Sequence, residues 1–309
     1  MRTKRGWFAF PYVIWMALFV VIPIVIMAVY ALTAADPITN ATYPTVDNFT
    51  GMGVYLNVFL RSFWLAVVAT LVCLLIGYPV SYWMAKEGPR FQRLAMALIM
   101  LPMWMNFLLR TYSWMSILEN NGLLNQLFRT IGVIDLYNQI TPFFVDLRNV
   151  FAGYFGGVTT NFVPIDHFQM IGTSGAVVLG MVYNYLPFMI LPIYSVIVKL
   201  DSSLIEAARD LGADSARVFR KVIFPLSLPG ILSGVTMVFV PSVSTFAISS
   251  LLGGGKQTML GDLIELQFLG GAYNPHLGAA ISMVMMVIVV VCMVVMHHFG
   301  EGEEQAVML

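Results

Sequence analysis

Two carboxylates, Asp262 and Glu265, stand three residues apart. On a helix they share one face, so both can meet a single cation; a solvated loop helix is the plainer alternative. A second polar run, Glu206-Ala-Ala-Arg-Asp-Leu-Gly212, is followed by Pro225 and the corner Leu228-Pro229-Gly230, and lies between two strongly apolar stretches. It is too short and too polar to cross a bilayer, so whatever reads it lies outside the membrane. Asp201, Ser202 or Ser203 can cap a helix start there, and Ser203 with Glu206 has the spacing of a capping box. Gly212 would stop that helix, Asp214 or Ser215 would start a second, and Pro225 would end it. Ala207 and Ala208 leave a shallow surface that a partner's groove can approach, with Glu206 and Arg209 as charge at the rim. The bland alternative is an ordinary loop whose Glu206 is spent on capping.

Other reactive residue types point to less. Gly253-Gly-Gly-Lys256 resembles part of a phosphate loop, but Ser250 stands where that motif needs Gly and Gln257 where it needs Ser or Thr. Cys73 and Cys292 both fall in apolar stretches, where cysteine is a small hydrophobe, and no disulfide framework is available. His297 and His298 are adjacent and point to different helix faces, which favours an interfacial pair over a metal site. Arg110 lies inside an apolar stretch, where an arginine serves a structural pair, a snorkel or a pathway.

The elements that must position these residues follow from composition. Of 309 residues, 59% are hydrophobic and only 10% charged, with zero formal net charge; mean hydropathy is strongly positive. That excludes a soluble domain and a global field for nucleic acid, and indicates an all-α polytopic membrane protein. Spanning a hydrocarbon core of about 30 Å takes about 20 apolar residues. Six stretches qualify, near 8–33, 62–85, 94–117, 173–198, 227–250 and 276–298. The first is too long for a signal-peptide core and reads as a retained span. Basic residues fix the orientation. One side holds eleven: Arg2, Lys4, Arg5, Lys86, Arg90, Arg93, Lys199, Arg209, Arg217, Arg220 and Lys221. The other holds Arg129, Arg148 and Lys256, with Arg61 at a span edge. The Glu206 run and both termini are therefore expected in the cytoplasm. Residues 34–61 and 118–172 are outer connections; the second begins with a turn at Asn120-Asn-Gly, then a surface helix, and is irregular from Phe151 to Phe168.

Glu206-Ala207-Ala208, then Gly212, Ile223, Leu228 and Pro229 resembles the coupling (EAA) motif of ABC-transporter inner-membrane permeases with a six-helix, MetI-like type I importer fold. Gly77-Tyr-Pro-Val-Ser-Tyr, Leu101-Pro-Met-Trp-Met-Asn, Leu109-Arg-Thr-Tyr112, Asn120-Asn-Gly-Leu-Leu-Asn125, Tyr185-Leu-Pro-Phe-Met, Leu252-Gly-Gly-Gly-Lys and Gly261-Asp-Leu-Ile-Glu-Leu-Gln-Phe268 are similar to the spermidine/putrescine permeases of the PotB type. The outer loop around 141–172 departs from that family in being longer.

The resemblance implies a permease core over 61–298 with a coupling loop at 199–226, preceded by a first span and outer loop over 1–60 and followed by a cytoplasmic tail at 299–309. It implies a bacterial inner-membrane importer subunit, not itself an enzyme, that couples to a cytoplasmic ATPase (PotA-like), two copies of which dock on the loops of the two permeases, through Glu206, Ala207, Ala208, Arg209, Asp210 and Gly212. A second permease (PotC-like) and an extracytoplasmic binding protein (PotD-like) complete the machine. No cofactor is expected on this chain, because ATP and Mg belong to the ATPase. Arg110 matches an arginine of the family and reads as structural. A polyamine needs carboxylates and aromatic faces along its path, and the candidates are Trp104, Asn106, Tyr112, Tyr183, Asn184, Tyr185, Asp262 and Glu265. Packing or interface anchoring is the plainer role for each aromatic. The alternatives are a permease for iron, sulfate or another small solute, or an ion-coupled secondary transporter, which should carry ionisable groups in mid-span. An intramembrane enzyme lacks its constellation.

Overall fold

The computed structural model describes residues 10–35, 41–155, 160–271 and 273–307. Arg2, Lys4, Arg5 and the side chains of His297 and His298 lie outside the described residues. Helix α1 (Phe10–Met16) passes through one π turn, Ala17–Val21, into α2 (Ile22–Ala31). A small antiparallel pair, β1 (Thr33–Ala35) with β2 (Thr42–Pro44), is the one strand pairing among the described residues of an otherwise helical chain. Then come α3 (Asp47–Thr50), a 3₁₀ turn, α4 (Leu56–Lys86), α5 (Pro89–Met100), a second 3₁₀ turn (Leu101–Trp104), α6 (Phe107–Leu118), α7 (Leu123–Thr130) and α8 (Val133–Phe155). The remainder is α9 (Ser174–Ile197), α10 (Ser202–Asp210), α11 (Ser215–Val218), a π turn (Phe219–Ile223), α12 (Phe224–Ser244), α13 (Ala247–Leu252), α14 (Leu260–Phe268) and α15 (Pro275–Val307).

Among the described residues, five segments are long and apolar enough to span: Phe10–Ala31, Asp47–Lys86, Ser174–Ile197, Ser215–Ser244 and Pro275–Met296. The sixth is broken. A continuous helix was expected over 94–117, whereas Pro89–Trp104 and Phe107–Thr130 meet at 91°. Pro102 cannot donate to a helical bond, and Asn106 starts a new helix by accepting from the Leu108 and Leu109 amides at 2.9 and 3.2 Å. The fifth span, expected at 227–250, is likewise shifted: it runs from Ser215 to Ser244, and an extended Thr245 separates it from α13.

The chain divides into two compact units. The first comprises residues 1–95, 185–246 and 258–309. There α12 packs along α4 and α15, and α15 along α2 and α14. Ala66, Val243, Leu260, Leu263 and Ile281 form the buried cluster. Gly230 and Gly234 let α12 approach residues 189–196 of α9: a Cβ at Gly230 would lie 3.0 Å from the Pro192 carbonyl oxygen, and one at Gly234 3.1 Å from that of Met189. Small residues at such crossings replace the hydrophobic drive that a bilayer does not supply.

The second unit comprises 96–184 and 247–257, with α13 packed on α6. The helix expected after Asn120 is α7, but a second one, α8, follows it and carries helical structure to Phe155, beyond the expected start of the irregular stretch. Three asparagines hold residues 160–168 against these helices. Asn149 pairs with both the amide and the carbonyl of Thr160 (3.0 and 2.8 Å), Asn138 with both of Ile165 (3.0 and 2.9 Å) and Asn125 with both of Phe168 (2.9 and 3.0 Å). Each amide side chain completes backbone bonds that an irregular strap would otherwise leave open.

Candidate functional site

Helix α10 is fixed at both ends by its own sequence. Asp201 is the N-cap, its carboxylate accepting the Ser203 amide at 2.9 Å. The Ser203 amide, and secondarily the Ser203 side chain, hold the Asp201 carboxyl below the ordinary aspartate value. The capping box expected of Ser203 with Glu206 is not formed; Asp201 takes that role and leaves the Glu206 side chain exposed. At the other end, Gly212 adopts φ +80°. Its amide bonds to the Arg209 carbonyl (2.8 Å) and that of Ala213 to the Ala208 carbonyl (3.1 Å), the two bonds of a Schellman stop. Asp214 then caps α11 by accepting the Arg217 amide at 2.8 Å.

Pro225 does not end the second helix as expected. Ser215–Ser244 is one continuous helical run in which the π turn Phe219–Ile223 lies just ahead of the proline. Pro225 lacks an amide and its ring crowds the carbonyl four residues back; one extra residue in that turn relieves both.

The segment is tied to the bundle by rings. Phe219 packs edge-on against Tyr78 and Tyr82 of α4, with centroids 5.8 and 5.3 Å apart, and Tyr78 also meets Phe224 at 5.7 Å. The Tyr78 hydroxyl pairs with Ser227 Oγ at 3.0 Å, both residues buried. The outward side is open: Glu206, Ala207, Arg209, Asp210 and Gly212 are exposed, Ala208 is half-buried, and Leu211 is 89% exposed. The Tyr78, Tyr82 and Phe219 clamp gave no signal in sequence, because Gly77-Tyr-Pro-Val-Ser-Tyr carries nothing that predicts its partner 140 residues on.

The remaining candidates divide between the units. In the second, Trp104 is 84% exposed and Tyr112 is exposed, while Asn106 spends its Oδ1 on the α6 cap. Tyr183 is half-buried, edge-on to Trp114 at 5.3 Å. Asn184 is buried; its Nδ2 donates to the Gly180 carbonyl at 2.8 Å, and its Oδ1 has no hydrogen-bond donor. Arg110 is buried too, with Nε and Nη1 unpaired. In the first unit, Tyr185 is half-buried. Asp262 is buried at the start of α14, where Oδ2 accepts the Met259 amide at 2.7 Å, while Glu265 one turn on is exposed.

The fold is that of a multi-pass chain with a capped, exposed helical insert ahead of its fifth span, and its family makes it a transport permease subunit. It belongs to the family of binding-protein-dependent transport system inner membrane components, which its residues 77–300 match. It is an inner-membrane, multi-pass permease of an ABC importer. It is 36% identical over 277 residues to the spermidine/putrescine transport system permease protein PotB of Escherichia coli, covering 89% of this chain and 90% of that protein. The Haemophilus influenzae PotB is 34% identical, covering 89% and 86%. Among solved structures, a bacterial ABC transporter involved in the import of the acidic polysaccharide alginate has a chain with TM-score 0.68 and 15% identity, covering 96% of each, a likeness of fold.

Proposed function

We propose that this chain forms, with a second permease, the inner-membrane path of a polyamine importer, and that α10 docks a cytoplasmic ATPase. The observation that carries the coupling is the exposed face from Glu206 to Gly212, held rigid by Asp201 and the Schellman stop. The polyamine reading rests on the likeness to the PotB permeases over nine-tenths of the chain. Its chemistry agrees. Trp104 and Tyr112 offer aromatic faces to ammonium groups at roughly 0.5–2 kcal/mol each, and Asn184 Oδ1 is an acceptor without a donor. Such contacts are weak enough to release. Glu265 offers an exposed carboxylate; Asp262 acts first as a cap. The assembly would comprise two permeases, two ATPase copies that bind ATP and Mg, and an extracytoplasmic binding protein. Both termini and the 199–226 loop face the cytoplasm in this arrangement.

When the ATPase copies close, differential binding to one conformation of the permease pair would shift it between inward and outward states. The Tyr78, Tyr82, Phe219 and Ser227 contacts carry that movement from α10 and α11 into α4 and α12. The test is ATP-driven uptake of labelled spermidine and putrescine into vesicles holding the full complex. Glu206→Ala removes charge at the docking face, and Gly212→Val places a β-branched side chain at φ +80°, a strain of about 1–2 kcal/mol. Saturable uptake lost in both variants is the expected outcome. An assembled, ATP-hydrolysing complex that moves no polyamine overturns the substrate and leaves the permease.

A further inference from the structure

The 23 residues of α8 include Asp135, Asp146 and Arg148, and the helix is not among those apolar enough to span. Its surface nevertheless has a distinct apolar side. Leu136, Ile140, Phe143, Leu147, Val150 and Tyr154 recur every three or four residues, which lines them up on one face. All six are exposed, from 44% at Leu147 to 83% at Tyr154. Tyr137, Phe144 and Phe151, also exposed, widen this stripe along one shoulder, and Asp135, Gln139 and Asp146 border the other. The face opposite is already occupied: Asn138 and Asn149, three turns apart, hold Ile165 and Thr160, and Ile134 is buried.

We propose that α8 lies in the plane of the membrane with this stripe sunk into the interfacial layer of the bilayer, as a monotopic helix inside a multi-pass chain. An apolar patch this long does not stand in water. Three observations favour lipid as its occupant over protein. The chain is a membrane permease, and the stripe is as bare as its Phe10–Ala31 span, which has none of its most apolar stretch buried. Tyrosine and phenylalanine supply the stripe's shoulder and its C-terminal end, the residue types suited to the headgroup boundary. Amphipathic order with low overall hydrophobicity is what distinguishes a helix that lies on a bilayer from one that crosses it. Since Asn138 and Asn149 fasten the 160–168 strap to the other face of α8, the bilayer would set the height at which that strap is presented.

The experiment places a nitroxide at Phe143→Cys, Leu147→Cys and Val150→Cys on the stripe, and at Asp146→Cys and Arg148→Cys off it, after Cys73→Ala and Cys292→Ala. Each labelled chain is assembled into the full transporter in phosphatidylethanolamine and phosphatidylglycerol vesicles. Collision rates with oxygen and with an aqueous nickel chelate are then measured. Stripe labels should meet oxygen freely and nickel several-fold less often than labels at 146 and 148, with the helical period between. Equal nickel access at 143 and 146 would mean the stripe faces water; low access to both reagents would mean protein covers it. Either result overturns the proposal. Leu147→Cys and Val150→Cys remove little side chain, so the outcome does not depend on whether Phe143→Cys assembles.

Discussion

The docking proposed for α10 requires that both ends of this short helix hold without a partner, and two residues do this. Asp201 satisfies the first free amide at Ser203, and Gly212 turns the chain so that the Ala208 and Arg209 carbonyls are met. Asp201→Ala should therefore fray the first turn and raise amide exchange at Ser203 and its neighbours several-fold, whereas Asp201→Asn, which keeps an accepting oxygen, should leave it near native. The pH dependence has a definite sign. The folded carboxyl sits below the ordinary aspartate value, so its cap is complete above the unfolded value and is lost as pH falls through the lowered one. Exchange should be flat in this respect around neutrality, with Asp201→Asn losing the acid limb. A native-like profile in Asp201→Ala would show that the cap does not hold the helix. Arg110 is a different case: its guanidinium is buried with two unpaired nitrogens, and nothing among the described residues explains its charge.

The helices show what a sequence displays and what it hides. The apolar stretches and the insert were legible because charge is nearly absent from one and concentrated in the other. Two rules then misled. Pro225 is expected to stop a helix, yet it stands two residues beyond a π turn, Phe219–Ile223, through which the helix continues, just as Pro23, inside the expected first span, stands two residues beyond Ala17–Val21. Hydropathy is unbroken across 94–117, so the bend at Met105–Asn106 was invisible to it; only Pro102 and Asn106, four residues apart, mark the place. Helix α8 was hidden because Asp135, Pro142 and Asp146 spoil a span pattern while its stripe shows only at the helical period. The asparagine pairs join side chains to backbone 11 to 43 residues away, which no local pattern encodes. The crossing of α12 on α9 gives a prediction at this scale. Ala at position 230 would gain up to about 1 kcal/mol in helix propensity, but its Cβ would press on the Pro192 carbonyl oxygen at 3.0 Å and Ile193 Cα at 3.1 Å. Both are backbone and cannot swing aside. Gly230→Ala should lose about 1–3 kcal/mol, read as a lower thermal midpoint of the purified complex; an unchanged or raised midpoint would mean the helices can separate freely there.

For the whole molecule, equal numbers of basic and acidic residues, 16 of each, hide a strong asymmetry. On the proposed topology eleven of the basic residues lie on the side of the α10 loop, against Arg129, Arg148 and Lys256 on the other, and the retention of basic residues near span ends in the cytoplasm makes that side the expected cytoplasmic one. Two bare residues report the result. Leu211 is 89% exposed beside the α10 stop, and Val163 is 73% exposed on the strap. With Cys73 and Cys292 replaced, Leu211→Cys should react with a membrane-impermeant maleimide in inside-out vesicles and not in intact cells, while Val163→Cys should react in cells stripped of the outer membrane. The reverse pattern would invert the chain and with it the docking face. Leu211→Cys carries a second readout, since a residue that bare in the isolated chain becomes inaccessible if a partner's cleft closes over α10. Labelling at 211 should therefore fall when the ATPase subunits are bound and return when they are stripped from the membrane, whereas labelling at Val163 should not respond. Equal reactivity at 211 with and without the ATPase would place the contact elsewhere and leave the open Glu206–Gly212 face without its partner.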